Sequence, residues 1–465
     1  MKQKKELLKN TLIIGIGKFS SQVIMFLMLP LYTSYLTTDE YGTYDTLVAI
    51  ATFITPFITM LLEESMFRFL IEYKEKTKKT EIITITVMFH IIGMAIFSII
   101  YAGVCIFFDF ECQILFLLYV IINAIHGLSN ALSRGLEDIK LYSISNFITN
   151  VIIVICNIIT IAIFKCGMTG LFLSFIIGNL ISATIVFKKL NILRFIKLRK
   201  FNKDMAKKMI KYSIPLVPNS LSWSIINLSD RVMLTYIVSS SANGIYSVSN
   251  KFPQILGSVY NFFSTAWKES ASKSVGDEKY YNEIYENILK ILSLIVIGLL
   301  IVLPFCYNIF VAEDFIESYK YVPILIIAMM FSNISEFYSG IFIAYKETKI
   351  IGITTVISAI INVLINVIFI TKYQIWAASI STLISTLVVA IIRRKLLENH
   401  INLSENYREI FKYSILIIIS IISFYIGNII YNIFFAIFMI LIIYFDGRKY
   451  IKDIFNKLLR KDNKV

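Results

Sequence analysis

Residues 8–45, LKNTLIIGIGKFSSQVIMFLMLPLYTSYLTTDEYGTYD, and residues 210–247, IKYSIPLVPNSLSWSIINLSDRVMLTYIVSSSANGIYS, overlay without a gap when the chain is shifted by 202 positions. Lys9 meets Lys211, Ser20 meets Ser222, Ile24 meets Ile226, Thr33 meets Thr235, Gly42 meets Gly244 and Tyr44 meets Tyr246. Each stretch reads as one long apolar helix, a turn, and a Gly-x-Tyr opening of the next helix. A second echo sets Leu136-Glu137-Asp138-Ile139-Lys140 against Lys346-Glu347-Thr348-Lys349. Six apolar spans separate the copies, so both run in the same direction across a membrane. That is the parallel-repeat arrangement, with two bundles related by an axis along the membrane normal and a path between them.

The surrounding composition agrees with a lipid environment. Of 465 residues, 57% are hydrophobic and 16% charged, against about 45–50% and about 25% in soluble chains. Apolar runs near 11–33, 44–64, 82–106, 114–134, 143–164, 168–188, 212–237, 245–267, 287–309, 321–343, 350–371, 374–392, 413–429 and 431–446 are each of a length to cross a hydrocarbon core of about 30 Å. These figures exclude a soluble enzyme, a disordered chain and a disulfide-stapled secreted domain. The predicted fold is an all-α polytopic membrane protein with about 14 transmembrane helices. Residues 1–190 form one six-helix bundle and 212–400 the other, with 191–211 between them. Residues 401–465 add two helices and a basic tail.

The net charge of +14 would suggest nucleic acid in a soluble protein, but here its distribution is topological. With the N-terminus inside, 39 of the 45 Lys and Arg fall in inside segments. Only Lys165, Lys320 and Lys372 fall outside. The positive-inside rule then places both termini in the cytoplasm, with contact to anionic membrane lipid and no role for nucleic acid. The start, Lys2–Lys9 and an apolar run, imitates a signal peptide but is too long and lacks a cleavage site, so it reads as a retained helix. The stretch Lys188–Lys211 mixes bases with apolar residues and reads either as an interfacial helix or as a solvated linker.

The three bases left over, Lys18, Arg231 and Lys251, lie within spans. An ionisable group at bilayer depth is costly unless it meets water or a partner, which makes it a functional candidate. Helix one carries Lys18 and Gln22, helix two Asp45, Glu63, Glu64 and Arg68, helix seven Asp230 and Arg231, helix eight Lys251, and helix ten Glu336. Bundles meeting along helices one, two, seven and eight would gather Lys18, Arg231 and Lys251 around a cavity suited to a phosphorylated ligand, Arg by its forked donors. Snorkelling of Lys18 and Lys251 to the headgroups is the competing account. Asp45, Asp230 and Glu336 are candidate ion-coupling acids. Glu63, Glu64 and Arg68 form either a salt-bridge latch or a solvated helix end. Pro30, Pro56, Pro215, Pro218 and Pro253 fall on the same four helices; they mark a gate or reflect the general tolerance of membrane helices for proline.

Other chemistry finds no support. Gly15-Ile16-Gly17-Lys18 imitates a phosphate loop, but Phe19 follows the lysine. Five Cys (105, 112, 156, 166, 306) and three His (90, 126, 400) show no ligand spacing, so neither metal nor other cofactor is expected. No nucleotide-binding domain and no hydrolase constellation is visible, so the chain reads as a transporter and not an enzyme.

The stretches LLKNTLIIGIGKFSSQVIMFLMLPLYTSYLTTDEYGTYD, LSDRVMLTYIVSSSANGIYSVSNKFPQIL and RGLEDIKLYS resemble the polysaccharide-biosynthesis (Wzx-type oligosaccharide) flippases. That family belongs to a superfamily with multidrug antiporters and the lipid II flippase. The resemblance implies a multi-pass protein of the bacterial cytoplasmic membrane that alternates access between two bundles. Its implied cargo is an undecaprenyl-pyrophosphate-linked oligosaccharide bound for a surface polymer such as O-antigen or capsule, with a polysaccharide polymerase as a candidate partner. A multidrug or organic-cation antiporter of the same superfamily is the first alternative, and a membrane glycan polymerase or ligase the second.

Overall fold

The computed structural model describes residues 24, 26–109, 111–404, 406–427, 430–439, 441 and 444, and among them the chain is helical without a strand. The helices are α1 Leu29–Tyr35, α2 Thr38–Thr59, α3 Leu62–Glu72, α4 Lys76–Phe107, α5 Gln113–Gly135, α6 Ile139–Asn157, α7 Gly167–Lys189 and α8 Lys203–Ser213. There follow α9 Leu216–Met233, α10 Ser240–Lys273, α11 Glu278–Phe310, α12 Val322–Ala344, α13 Thr348–Tyr373, α14 Ile375–Leu397, α15 Tyr407–Ile426 and α16 Ile430–Met439. Among the described residues, nine helices are long and apolar enough to cross a bilayer, and α2 with α3, bent by 53° at Met60–Leu61, makes a tenth if taken as one broken span. The nine are α4–α7 and α11–α15, some extended by an adjoining turn. The protein is therefore a multi-pass membrane protein. Predicted spans seven and eight are present as α9 and α10 but fall short of that apolarity. They carry Ser220, Ser224, Asn227, Ser229, Asp230 and Arg231, then Ser239–Ser241, Asn243, Ser247, Ser249, Asn250 and Lys251. Most of predicted span one lies outside the described residues.

Polar side chains set the helix starts. Thr37 accepts from Glu40 N at 3.2 Å while Glu40 Oε2 accepts from Thr37 N at 2.9 Å, a reciprocal cap on α2. Asp138, Asn202, Asp277 and Asn406 cap α6, α8, α11 and α15 in the same sense. The two turns matched in the sequence close alike. Glu137 and Lys346 adopt φ 64° and 63°. Each is followed by an amide that reaches back five residues, Asp138 N to Ser133 O at 2.9 Å and Glu347 N to Phe342 O at 2.8 Å. Lys165 and Gln374, at φ 52° and 48°, stand at the same 209-residue offset.

The chain divides into two compact units, 1–251 with 352–385, and 252–351 with 386–465. In the first, one core joins α2, α4, α5 and α7 through Leu47, Ala51, Phe116, Tyr119, Val120 and Phe172. A second joins α3, α4, α5 and α8 through Leu62, Met66, Leu70, Ile82, Leu132, Met205 and Met209. The basic stretch thus contains an amphipathic helix whose methionines enter a protein core, each worth about 1.5–3 kcal/mol, while Lys203, Lys207, Lys208 and Lys211 are exposed. In the second unit the Trp267 indole stacks on Phe337 at 4.5 Å and donates to its carbonyl at 2.9 Å. Arg393 there is fully buried and donates to Ser335 O and Oγ, to Ser339 Oγ and to Ile351 O at 2.7–3.2 Å.

Gly42 and Gly244, the repeat-matched glycines, meet at the crossing of α2 and α10. A Cβ on Gly42 would lie 1.8 Å from Ser240 O and 2.6 Å from Gly244 N, and one on Gly244 would lie 2.0 Å from Thr38 O. The overlapping atoms are backbone, so no side chain can move to make room. Gly42→Ala is expected to destabilise the protein by about 3 kcal/mol or more. Gly103→Ala, where the added methyl meets nothing within 4 Å, should be neutral or stabilising. Thermal unfolding of the two variants in detergent checks the contrast.

Candidate functional site

Successive helical residues point about 100° apart, so Asp230 and Arg231 leave α9 in different directions. Arg231 turns to α2. Its Nε donates to Asp45 Oδ2 at 2.5 Å, with the two side chains only 14% and 13% exposed, and its Nη1 donates to Asn227 O at 2.9 Å. Just beyond, a π turn over Leu234–Val238 resets the register of the chain. Thr235 Oγ1 meets Thr46 Oγ1 at 2.5 Å, and Asn243 donates to both Thr46 Oγ1 and Gly42 O at 2.8 Å. Lys251, about two turns further along α10, holds its ammonium 5.8 Å from the Tyr41 ring centroid, within cation–π range.

Asp230 turns to α13 and α14. It is 2% exposed, and four neutral donors fill its oxygens. Asn362 and Asn366 donate to Oδ1 at 3.1 and 2.5 Å, and Tyr246 and Thr382 to Oδ2 at 2.7 and 2.8 Å. Asn362 Oδ1 accepts from Ser229 at 2.7 Å, while Asn366 Oδ1 is buried without a partner. This cage ties the 352–385 segment into the first unit.

The remaining predicted residues separate. Glu336 is engaged by Lys268 at 2.5 Å in the second unit. Glu63 accepts from Thr59 Oγ1 at 3.2 Å and faces His90 Nε2 at 3.5 Å, whereas Glu64 and Arg68 are exposed. Pro56 and Pro253 are interior to α2 and α10, Pro30 opens α1, and Pro215 and Pro218 stand at the start of α9. Lys18 and Gln22 lie outside the described residues. Among those described, no group of three or more His, Cys, Asp or Glu gathers as a metal site. The uncharged members of the cage are not marked by charge in the sequence, although Asn362 and Asn366 stand four apart on an apolar helix. Arg393 sits one residue past the end of predicted span twelve.

The polysaccharide biosynthesis protein family model matches residues 7–267, and the MatE model matches 215–368. An uncharacterised membrane protein of Methanocaldococcus jannaschii is 20% identical over 405 residues, which cover 83% of this chain and 96% of that one. An inward-facing multidrug-resistance MATE transporter of the MOP superfamily superposes with a TM-score of 0.71 at 13% identity, covering 86% of this chain and 98% of the other. The lipid II flippase MurJ in an inward closed conformation gives 0.64 at 16% identity, covering 94% and 99%. A MOP transporter from Pyrococcus furiosus, described by the reversed polarity of its binding pocket, gives 0.58 at 14% identity, covering 83% and 94%. At these identities the likeness is one of fold, an all-helical membrane architecture shared over most of each chain. With its family model matched over more than half its length, the chain belongs to the polysaccharide biosynthesis protein family.

Proposed function

We propose that the protein flips an undecaprenyl-pyrophosphate-linked oligosaccharide from the cytoplasmic to the outer leaflet of a bacterial cytoplasmic membrane. It does so by alternating access between bundles 1–190 and 212–400, with both termini in the cytoplasm. The single observation that carries this reading is the little-exposed Arg231 of α9, ion-paired with Asp45, with Lys251 on the adjoining helix. A guanidinium has five donors, and Asp45 and Asn227 occupy two of them. The cargo's pyrophosphate takes Asp45's place, because a phosphate accepts the same fork and carries more charge. Lys251, and Lys18 from helix one, complete the anion's surroundings. An inside-negative potential then favours the anion's outward passage by about 2.3 kcal/mol per charge per 100 mV. The flipped oligosaccharide is the building block of a surface polymer, and a polysaccharide polymerase is its natural consumer.

Asp230 supplies ion coupling. Rotating the two amides of its cage would set Asn362 Oδ1 and Asn366 Oδ1 beside the carboxylate and Thr382, an oxygen set for sodium; protonation of the carboxylate is the other form of the same coupling. The buried acid, together with the MatE match over 215–368, favours organic-cation antiport as the second reading. Polymer export without dye efflux separates the two.

Two outcomes are expected. Arg231→Ala and Lys251→Ala lower polymer export in a complementation assay by at least about tenfold at unchanged membrane levels, and Arg231→Lys does not restore it, since a point charge lacks the fork. Normal export by both alanine variants would sink the pyrophosphate reading. In proteoliposomes, transport by the native protein responds to a sodium or proton gradient. Asp230→Asn removes that response, and a variant as gradient-dependent as the native protein would exclude Asp230 from coupling.

A further inference from the structure

Helix two is broken where α2 ends and α3 begins. Met60 and Leu61 both take left-handed backbone conformations, φ 51° and 50°, each costing about 1–3 kcal/mol in a residue with a side chain. Something must hold the break. Leu61 N donates to Thr59 Oγ1 at 3.2 Å, and Thr59 in turn donates to Glu63 Oε1. From the other side, Gly93 lets α4 lie against the freed end of α2, where an added Cβ would sit 2.1 Å from Ile58 O. One turn earlier on α4 stands His90, 1% exposed.

The histidine's bonding fixes the place of its first proton. His90 Nδ1 lies 2.9 Å from the carbonyl oxygen of Thr86, which can only accept, so Nδ1 carries a hydrogen. In a neutral ring Nε2 would then be a bare lone pair. It faces Glu63 Oε2 at 3.5 Å, and both atoms are buried without another hydrogen-bond partner. Two acceptors confronting one another out of water are repulsive, and each would also keep its desolvation cost. One proton on Nε2 turns this repulsion into an ion pair.

We propose that His90 and Glu63 form a proton-binding site, an imidazolium opposite a carboxylate, and that this proton locks the break in helix two. The proton exchanges with water by way of Glu63, which is 14% exposed and followed by exposed Glu64 and Arg68. When it leaves to solvent, the two lone pairs repel, the carboxylate swings out and the break is released. Among the described residues, no other ionisable side chain facing the site's neighbours takes over. On α5, Arg134 lies over the Phe67 ring at 4.2 Å and His126 is beside Asn130 and Thr149. On α4, Glu81 is taken by Lys78. The charged residues of α8 (Lys203, Asp204, Lys207, Lys208 and Lys211) are exposed, and on α2 Asp45 is held by Arg231. The site is distinct from the Asp230 cage, so loss of ion coupling at Asp230 leaves it standing.

The chain has three histidines, which makes the test direct. The full-length protein, labelled with 15N-histidine and reconstituted in nanodiscs, is observed by nitrogen NMR at pH 7.5, with His90→Gln assigning the signal. Expected are two protonated nitrogens on His90, and their replacement by a neutral-ring spectrum in Glu63→Gln. A neutral His90 in the native protein overturns the proposal, as does an imidazolium signal that Glu63→Gln leaves unchanged. Hydrogen exchange across Thr59–Ser65, corrected for intrinsic rates, should become at least tenfold faster above the pH at which His90 loses that signal. Protection that is constant through the transition refutes the lock.

Discussion

A helix that carries neighbouring Asp and Arg into a bilayer must find partners for both, and they cannot be one and the same neighbour. Because Asp230 and Arg231 diverge by about 100°, α9 is fastened on two sides, to α2 through Asp45 and to α13 and α14 through the amide cage. Removing one member of such a buried pair leaves an uncompensated charge, which costs about 3–5 kcal/mol. The constraint therefore fixes the place of α9 more firmly than apolar packing could. Lipid tails are as apolar as leucine, so burial alone gives membrane helices little preference for one neighbour over another.

The crossing of α2 and α10 uses the complementary device. Gly42 and Gly244 remove the side chains that would keep the backbones apart, and Asn243 and Thr46 then reach carbonyl and hydroxyl across the gap. Close approach comes first and hydrogen bonds follow from it. The two fastenings lie on the same helices that are too polar to pass as ordinary spans. That polarity goes to partners within the protein, through Asp230, Arg231, Asn243 and Thr235, and to Lys251 resting over Tyr41.

Much of this was legible in the sequence because it is written in residues with a single physical use. Glycine at 42 and 244, the left-handed turns at 137 and 346, and charges within apolar runs each stand out against a composition that is 57% hydrophobic. What escaped is neutral, displaced or relational. Asn362 and Asn366 carry no charge, so a search for ionisable groups passes over them. Arg393 lies past the last apolar residue of its run, yet α14 continues to Leu397 and buries it. Glu63, Glu64 and Arg68 look alike on a continuous helix, but the break at Met60–Leu61 re-aims only Glu63 inward. His90 has no motif because its partner comes from another helix.

These arrangements share a logic of exchange. Arg231 with Asp45 and Asp230 with its amides are each partnered within the protein, and on the proposed reading each by groups that a competing ion would displace, a phosphate at the first and a cation at the second. A charge permanently neutralised by an equally strong and rigid partner would stabilise one state and resist transport. A charge left bare would not survive in hydrocarbon. Partners that are adequate and replaceable are what a protein needs if it is to release an anionic cargo as well as bind it, since only a difference in affinity between two states can shift a population. Under the proposed function Arg231 meets that condition, because Asp45 would reclaim the guanidinium once the phosphate had gone and the empty carrier would return without an unpaired charge.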